Sequence, residues 1–437
     1  MIDNKQTIAV HCENICNGGI QRVVVKVLEL LHRTPGYKFV LLTDQAPDAD
    51  DYDIPDGVVR YELPDVGIKR TECLQKILQT EKVSIFWEHN YYTDYQLEHD
   101  LALCKNLNIK VILHHHNVFS NMIARGDNRT IKLFDIYKNF ADAMLVLSHA
   151  DETFFRLLDI PAFYMPNPMT FKIAAADFNA SSNNILWIGR IVYNKQPLHA
   201  VKIMQKVLQH LPDVTMTIVG DGKDIDVEEV REYIAANGLG NNITLAGFQK
   251  DVSHFYRHSA LSLITSQFDG YNLTVLESKA FGVPIINYDM PYLETLQPDT
   301  GAISVPQADI DKAADVIVKL FSDPERKDLK RLSLHARQSY EIFASFDLVE
   351  AYRKFFDMPD YNFTPKASYT ANEVSTFVTT LLFHNKLGFE VMKKRFDRAG
   401  LQDKNKEITS GLTWRLGHFI LWLPQKICAI LKGSKNA

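Results

Sequence analysis

The most restrictive feature of this sequence is an alternation of two hydrophobic patterns that continues along most of the chain. Short runs of apolar and β-branched residues, such as 7–11 and 38–43, flank a longer amphipathic stretch at 20–32. The short runs predict buried strands and the longer stretch predicts a helix, which is the order of a β-α-β unit with parallel strands. The strand runs are continuous because helices cover both faces of such a sheet.

The alternation forms two series. Further strands are predicted at 83–87, 110–114 and 143–148 in the first series, and at 184–189, 214–220, 242–246, 261–265 and 284–288 in the second, with helices at 197–211 and 226–237. The sequence Met165-Pro-Asn-Pro168 and the polar residues after it predict a linker. We therefore expect an α/β protein with two doubly wound domains, 1–168 and 169–335. Their ligands would bind beyond the carboxyl ends of the strands, in a cleft between two facing domains.

The rest of the chain has a different pattern. We expect a helix at 336–357 that crosses back to the first domain, followed by a helical extension at 358–437. The stretch 408–437 contains no acidic residue, and its basic and aromatic residues include Arg415, Lys426, Lys432, Lys435, Trp414, Phe419 and Trp422. This composition favours short amphipathic segments at a membrane surface. The alternative is that the stretch packs on the first domain.

Composition excludes several classes of protein. The 437 residues include 48 basic and 53 acidic side chains, and the net charge of −5 gives no general reason to bind nucleic acid. Five cysteines without a Cys-x-x-Cys pair predict neither a disulfide framework nor a zinc ribbon and favour a reducing cytoplasm. The first residues lack the pattern of a secretory signal, and no run of about 18 apolar residues could span a bilayer. We therefore expect a cytoplasmic protein whose membrane contact is peripheral.

Residues 265–284 carry the densest group of candidate site residues. A strand is predicted to end near Thr265, a polar turn follows, and a helix is predicted to begin at Asn272 or Leu273. The first backbone N–H groups of a helix have no partner within it. Those of Leu273 and Thr274 are therefore expected to bind an anion.

Two acidic residues flank this predicted helix start. Asp269 lies in the turn and Glu277 lies one turn inside the helix, so both carboxylates could face one ligand from different distances. The alternative is that Asp269 only stabilises the turn and that Glu277 faces solvent on the helix surface.

A second cluster follows the strand predicted at 184–189. Gly189 lets the backbone approach a ligand closely, Arg190 offers a planar fork of donors, and Lys195 adds a mobile charge. Together they could neutralise a diphosphate leaving group. The alternative is an ordinary strand-to-helix turn that contains a glycine.

Two further glycine turns have a similar position. Ile218-Val-Gly-Asp-Gly222 follows a strand, but the dinucleotide-binding pattern G-x-G-x-x-G is incomplete because residue 225 is Ile. We interpret Gly220 as part of a turn beside a nucleotide rather than of an NAD site. Gly18 and Gly19 occupy the first strand-to-helix turn and would let a substrate approach the backbone, the alternative being plain turn chemistry.

Residues 114–116 are three consecutive histidines at the end of a predicted strand. Neighbouring strand residues point to opposite faces, so only His114 and His116 could share a ligand. No carboxylate or cysteine lies nearby in the sequence to complete a metal site, and we expect none. His116 is instead the best candidate for a group that hydrogen-bonds a sugar or stabilises a transition state.

In this order, the motifs resemble those of the retaining glycosyltransferases of family 4, which have the GT-B architecture. The resemblance rests on Gly18-Gly19, His116-Asn117, Asn167-Pro168, Gly189-Arg190 with Lys195, Gly220-Asp-Gly222 and the acidic pair, and it covers residues 7–355. The family pattern is Glu-x7-Glu. Here the spacing is kept, but the first acid is Asp269 and only Glu277 is retained.

The resemblance implies a role for each of these residues. The donor diphosphate would be bound by Arg190, Lys195 and the N–H groups of Leu273 and Thr274. Glu277 would hold the ribose hydroxyls, Asp269 would contact the transferred sugar, and His116 would assist near the reacting carbon. The donor would be bordered by Gly189, Gly220 and Asn272, and the acceptor by Gly18 and Gly19. Because protein cations stabilise the diphosphate, this class needs no metal, and the nucleotide sugar is a co-substrate rather than a cofactor.

We therefore expect a metal-independent retaining transferase that moves a hexose from a nucleoside diphosphate sugar, first of all a UDP-sugar. The acceptor would be a cell-surface glycan, a lipid-linked sugar or a polyol phosphate. The alternative from another class is a non-catalytic GT-B subunit that binds and stabilises a partner glycosyltransferase, and Asp269 keeps this alternative open. A sugar-nucleotide epimerase fits less well, because the Gly-Arg-Lys and acidic spacings match transferases better.

Overall fold

The chain forms two compact units. The computed structural model describes residues 6–16, 18–64, 67–89, 95–125, 128–169, 178–297, 299–358, 361 and 370–399. The first unit consists of Met1–Pro168 and Leu348–Ala437, and the second consists of Met169–Asp347.

The first unit contains a parallel sheet of seven strands. Its strands are β1 (Gln6–Cys12), β2 (Tyr37–Thr43), β3 (Val59–Glu62), β4 (Val83–Glu88), β5 (Lys110–His115), β6 (Ala143–Val146) and β7 (Ala162–Tyr164). The helices between them are α1 (Gly19–Leu31), α2 (Ile68–Thr80), α3 (Tyr95–Asn106), α4 (Phe119–Arg125), α5 (Asn128–Phe140) and α6 (His149–Leu157). The strand order is β3-β2-β1-β4-β5-β6-β7, so the direction of winding reverses between β1 and β4.

The second unit contains a parallel sheet of six strands. Its strands are β8 (Asn184–Ile188), β9 (Thr215–Val219), β10 (Ile243–Leu245), β11 (Leu261–Ile264), β12 (Ile285–Tyr288) and β13 (Ala302–Val305). Its α-helices are α7 (Pro197–Leu208), α8 (Asp224–Ala236), α9 (Ser253–Arg257), α10 (Leu273–Ala280), α11 (Ile310–Ser322) and α12 (Lys327–Ala344), and a short 3-10 helix spans Glu294–Leu296. The order β10-β9-β8-β11-β12-β13 places the reversal between β8 and β11. The predicted α/β alternation is confirmed in both units.

Helix packing holds β8 in the middle of the second sheet. The buried residues of α7 recur at intervals of three and four, which places them on one face of the helix: Pro197, Ala200, Val201, Ile203, Met204 and Val207. All of them except Pro197 join Trp187 of β8 and the buried face of α11 in one core. Burying each of the larger side chains stabilises the fold by about 1.5–3 kcal/mol. This packing fixes the end of β8, and with it the position of Gly189 and Arg190, which follow that strand.

The chain returns to the first unit through two helices, α13 (Leu348–Phe356) and α14 (Ala371–Ala399). The prediction of one helix over 336–357 is wrong, because α12 ends at Ala344 and α13 begins at Leu348. The Ser345 hydroxyl hydrogen-bonds the Ile342 carbonyl at 2.7 Å, and Asp347, a residue type that favours helix starts, precedes Leu348.

The predicted membrane-binding stretch 408–437 lies outside the described residues. Within the described part of the chain, no helix combines the length and the hydropathy needed to cross a bilayer.

Candidate functional site

The predicted donor residues lie in the second unit, at the carboxyl ends of β8 and β11. Gly189 and Arg190 follow β8, the loop with Asp269 follows β11, and α10 follows that loop. These two strands flank the point where the winding of the sheet reverses. Open parallel sheets bind their ligands in the crevice at such a point. The structure thus brings the two densest motifs of the sequence together at the edge where a ligand site is expected.

Hydrogen bonds through Thr265 fasten the turn after β8 to the strand end of β11. The Trp187 indole Nε1 donates to Thr265 Oγ1 at 2.9 Å. The same hydroxyl lies 2.7 Å from the Lys195 carbonyl and 3.0 Å from the Gln196 carbonyl. Thr265 is 1% exposed, and these contacts therefore form away from water, where they restrict the turn strongly.

Lys195 and Asp269, which are 74 residues apart in the sequence, form an ion pair through Nζ and Oδ2. Both side chains are about four-fifths buried, with 18% and 16% exposed. Tyr292 fixes the backbone of Asp269, because its hydroxyl accepts from the Asp269 N–H at 2.9 Å and donates to the Asp269 carbonyl at 2.9 Å. The Asp269 carboxylate therefore contacts a cation of the other motif.

Arg190 is exposed, and no described carboxylate forms an ion pair with it. Its guanidinium presents donors in a fixed planar arrangement that matches phosphate oxygens. The site therefore contains two cations: Arg190, which is exposed, and Lys195, whose charge is already compensated by Asp269.

Helix α10 begins at Leu273, as the sequence predicts, and ends at Ala280. Asn272 precedes it in the left-handed conformation, with φ of 59°, and no side chain caps this helix end. The side chain of Asn272 instead accepts from the Thr274 hydroxyl. The backbone N–H groups of Leu273 and Thr274 thus remain at an uncapped helix start, which is the geometry that favours an anion.

Glu277 is buried within α10 rather than exposed on its surface. It is 1% exposed, and its Oε2 accepts a hydrogen bond from the Tyr256 hydroxyl at 3.0 Å. Tyr256 itself stacks on Phe281, with ring centroids 5.4 Å apart and planes 7° from parallel. Sequence reasoning missed Tyr256, because no local pattern connects α9 with a carboxylate 21 residues later. The alternative that Glu277 faces solvent is wrong.

Lys279 is a second buried ionisable group of α10 that sequence reasoning missed. It is 1% exposed, and its Nζ donates to the Thr295 carbonyl and, at 3.0 Å, to Ser339 Oγ. Because burial disfavours the charged form, the pKa of Lys279 is lowered to about 7. The only signal in the sequence is a lysine between apolar helix positions, which is too common to single out.

Gly220 has a structural reason to be glycine. Its φ is +137°, and a Cβ at this position would lie 1.9 Å from the Gly189 carbonyl oxygen. The turns that follow β8 and β9 can approach so closely because Gly220 carries no side chain, whereas a Cβ on Gly189 would make only ordinary contacts, the nearest at 3.5 Å. The role of Gly189 and Gly220 beside a donor stays a prediction, and the role of Gly220 in packing the two turns is independent of it.

The predicted acceptor-side glycines and His116 lie in the first unit. Gly18 has an extended backbone and caps α1, which begins at the exposed Gly19. His116 follows β5 and is half-buried. Burial, together with the neighbouring His115, lowers its pKa to about 3, so the imidazole is neutral at physiological pH.

The side chains of residues 114–116 point alternately to the two faces of the sheet, as strand geometry requires. His114 stacks on His116, with ring centroids 4.2 Å apart. His115 points to the other side, where its Nδ1 lies 3.3 Å from the Tyr137 hydroxyl. The prediction that only His114 and His116 share a face agrees with this geometry.

The first unit also contains a buried ionic network at its own winding reversal, which sequence reasoning missed. His11 Nδ1 lies 2.6 Å from Glu88 Oε2, and His11 Nε2 lies 3.1 Å from Asp44 Oδ1. Arg70 pairs with both Asp44, at 2.7 Å, and Asp100, at 2.6 Å. Burial alone would lower the pKa of His11, but the charges of Glu88 and Asp44 raise it well above its usual value. His11 is therefore the protonated member of the network.

Residues 169–339 match the family model described as glycosyl transferases group 1. The poly(glycerol-phosphate) alpha-glucosyltransferase of Bacillus subtilis is 26% identical over 195 residues, which is 44% of this chain and 28% of that protein. The UDP-Gal:alpha-D-GlcNAc-diphosphoundecaprenol alpha-1,3-galactosyltransferase of Escherichia coli is 21% identical over 78% of this chain and 93% of its own. The first three curated relatives are matched over 28%, 52% and 18% of their length.

Solved structures share the fold over about four fifths of this chain. A mutant of S. aureus TarM, crystallised with fondaparinux, alpha-GlcNAc-glycerol and UDP, superposes with a TM-score of 0.66 at 12% identity, over 82% of this chain and 100% of that one. The fold is that of the GT-B glycosyltransferases, which confirms the predicted architecture. Together, the family match and the relatives support the group 1 glycosyltransferase superfamily for this chain.

Proposed function

We propose that the chain is a retaining glycosyltransferase that transfers a hexose from a UDP-sugar. The observation that carries this proposal is the meeting of Gly189, Arg190 and Lys195 with Asp269 and the uncapped start of α10 at one winding reversal. The family match supports it, since it covers all of these residues. The choice of UDP is supported by two similar proteins, because TarM was crystallised with UDP and the Escherichia coli relative is named for UDP-Gal.

The charges at this site suit the departure of a diphosphate. Sugar transfer develops negative charge on the leaving diphosphate and positive charge on the sugar ring. Arg190, Lys195 and the N–H groups of Leu273 and Thr274 would stabilise the negative charge, as prearranged donors do in other active sites. We propose on this basis that transfer needs no metal ion.

The ion pair of Lys195 with Asp269 suggests how the donor is received. A diphosphate carries more charge than one carboxylate, so Lys195 would turn from Asp269 towards it when the donor binds. Asp269 would then be free to accept hydrogen bonds from the transferred sugar. Asp is one methylene shorter than Glu, and the Tyr292 contacts to its backbone would hold the loop in the position that this shorter side chain requires.

The remaining roles belong to buried or first-unit residues. Glu277 would hold the ribose hydroxyls, oriented by Tyr256. His116, neutral because of its low pKa, would donate or accept a hydrogen bond near the reacting carbon without adding a charge. Gly18 and Gly19 would border the acceptor.

We propose a cell-surface glycan, a lipid-linked sugar or a polyol phosphate as the acceptor, used at the cytoplasmic face of the membrane. The names of the Bacillus subtilis and Escherichia coli relatives support the last two classes. Residues 408–437, basic and aromatic, would bind the membrane peripherally. Removing them should release the protein from anionic vesicles, with the melting temperature of the remainder unchanged; unaltered vesicle binding would contradict this role.

The test of the transferase proposal is donor turnover by the purified chain. UDP-, GDP- and ADP-sugars are compared by thermal stabilisation and by hydrolysis or transfer in the presence of a chelator. Arg190→Ala and Glu277→Ala should abolish transfer in folded protein, whereas Arg231→Ala, which removes an exposed arginine paired with Glu228 in the same unit, should not. Near-normal turnover in both site variants would overturn the site assignment.

One observation favours the alternative of a non-catalytic subunit that stabilises a partner glycosyltransferase. The carboxylate of Asp269 is already occupied by Lys195. A chain that binds UDP but turns over no nucleotide sugar, and that stabilises a co-expressed transferase, would support this alternative. Turnover by the chain alone would exclude it.

A further inference from the structure

Three histidines converge at the carboxyl ends of β4 and β5 in the first unit. His89 follows β4, His114 lies on β5 and His116 follows it. One ring nitrogen from each lies within 4.8 Å of the other two. His89 Nδ1 and His116 Nε2 are only 2.8 Å apart and share a hydrogen bond. Sequence reasoning placed His114 and His116 on the same face but missed His89. The pairing of β4 with β5 brings His89 next to these two residues.

This cluster is poorly satisfied by hydrogen bonds from the described residues. His114 is 1% exposed and neither of its ring nitrogens has a hydrogen-bond partner among them, and the same holds for Nε2 of His89, which is fully buried. A buried nitrogen left without a partner destabilises the fold, because it loses its hydrogen bonds to water and gains none in return.

We propose that His89, His114 and His116 form a binding site for a borderline divalent transition metal such as zinc. Tetrahedral zinc holds imidazole nitrogens at about 2.0–2.1 Å, which places two such nitrogens about 3.3 Å apart and two ring centroids about 5 Å apart. The observed centroid distances are 4.2, 4.9 and 5.0 Å. The metal would replace the hydrogen bond between His89 and His116, and His114 would move to bring one ring nitrogen into coordination distance.

Metal binding at this site does not depend on the proposed sugar transfer. His116 is half-buried, so water could reach the cluster and would complete the coordination of an ion held by the three imidazoles. If the proposed role of His116 is correct, an occupied site also withholds His116 from the sugar, and zinc should inhibit transfer. The binding measurement itself uses no substrate.

The experiment is a cobalt and zinc titration of the full-length, tag-free chain. A His258→Gln background removes one histidine of the exposed pair His254 and His258, whose rings lie 4.7 Å apart and could bind metal adventitiously. We expect one equivalent of cobalt with the visible absorption of a four-coordinate ion, displaced by zinc. His114→Gln should weaken cobalt binding at least tenfold, whereas His115→Gln, on the opposite face of the same strand, should not.

Circular dichroism melts without metal establish that each variant is folded, and His89→Gln serves as the second ligand variant. X-ray absorption of the cobalt-loaded parent chain counts the imidazole ligands without any mutation, and we expect three. Equal cobalt affinity in the parent chain and both ligand variants, no bound equivalent at all, or fewer than three imidazoles around the ion would overturn the proposal.

Discussion

Substitution of Gly220 by alanine should destabilise the second unit severely, although it adds a single methyl group. Two costs arise at once. A φ of +137° belongs to a region that residues with a side chain avoid at a cost of about 1–3 kcal/mol. In addition, the new Cβ would lie 1.9 Å from the Gly189 carbonyl oxygen, so the turns after β8 and β9 must separate by about 1 Å, at a further cost of about 1–3 kcal/mol.

These costs together amount to about 4 kcal/mol, which corresponds to a fall in melting temperature of roughly 10 °C for a unit of this size. Two neighbouring glycines separate the contributions. Gly240 has no atom within 4 Å of an added Cβ and no positive φ, so Gly240→Ala should change stability by less than about 0.5 kcal/mol. Gly238 has equally open space but a φ of +66°, so Gly238→Ala should cost about 1 kcal/mol.

Hydrogen exchange measured on peptides from β8 and β9 reports the opening of the second unit specifically, and thermal melts give the overall shift. Both are made without ligand, so a role of Gly220 beside a donor does not enter the result. If Gly220→Ala melts within about 2 °C of Gly240→Ala, the two turns accommodate the added Cβ without the predicted loss of stability, and the predicted cost of the steric conflict and the positive φ is refuted.

Two further predictions concern buried groups near α10. Because burial lowers the pKa of Lys279 from 10.5 to about 7, the unfolded chain binds more protons between these values. The stability of the wild-type chain relative to Lys279→Met should therefore rise by about 2 kcal/mol from pH 7 to pH 9 in urea unfolding, and parallel pH profiles would contradict this. Tyr256→Phe should weaken UDP binding roughly tenfold by calorimetry, because Glu277 loses the hydroxyl that orients it. The control Tyr233→Phe, whose hydroxyl contacts Gln205 elsewhere in the unit, should bind UDP normally, and equal affinities in the two variants would show that Tyr256 has no such role.

Sequence patterns located the fold because the central strands are buried on both faces. The continuous apolar runs of β1, β2, β4 and β5 are the direct result of helices on both sides of the sheet. The edge strands β3 and β7, with four and three residues and partly exposed side chains, leave no such run and were not predicted. The break between α12 and α13 was also missed, since three residues of Ser, Phe and Asp interrupt an otherwise continuous helical pattern.

The candidate site could be predicted only as far as its local motifs extend. The start of α10 follows from turn and helix signals within a few residues, and it lies where the sequence predicts it. The pair of Lys195 with Asp269 and the contact of Tyr256 with Glu277 depend on which strands become neighbours, and no local spacing encodes that. The same reason explains why the sequence did not place His89 beside His114 and His116.

The first unit is discontinuous in the sequence, and this has a consequence for how the protein is made. Tyr352 and Phe356 of α13 pack on Trp87, with ring centroids 5.3 and 5.4 Å apart. They are translated only after all of Met169–Asp347, which takes about 10–35 s at ordinary synthesis rates. Until α13 is translated, the indole of Trp87 has no aromatic cover from it, whereas every strand of the second sheet has been synthesised before Leu348 is reached. The unit that is synthesised second is therefore the first whose core can be completed.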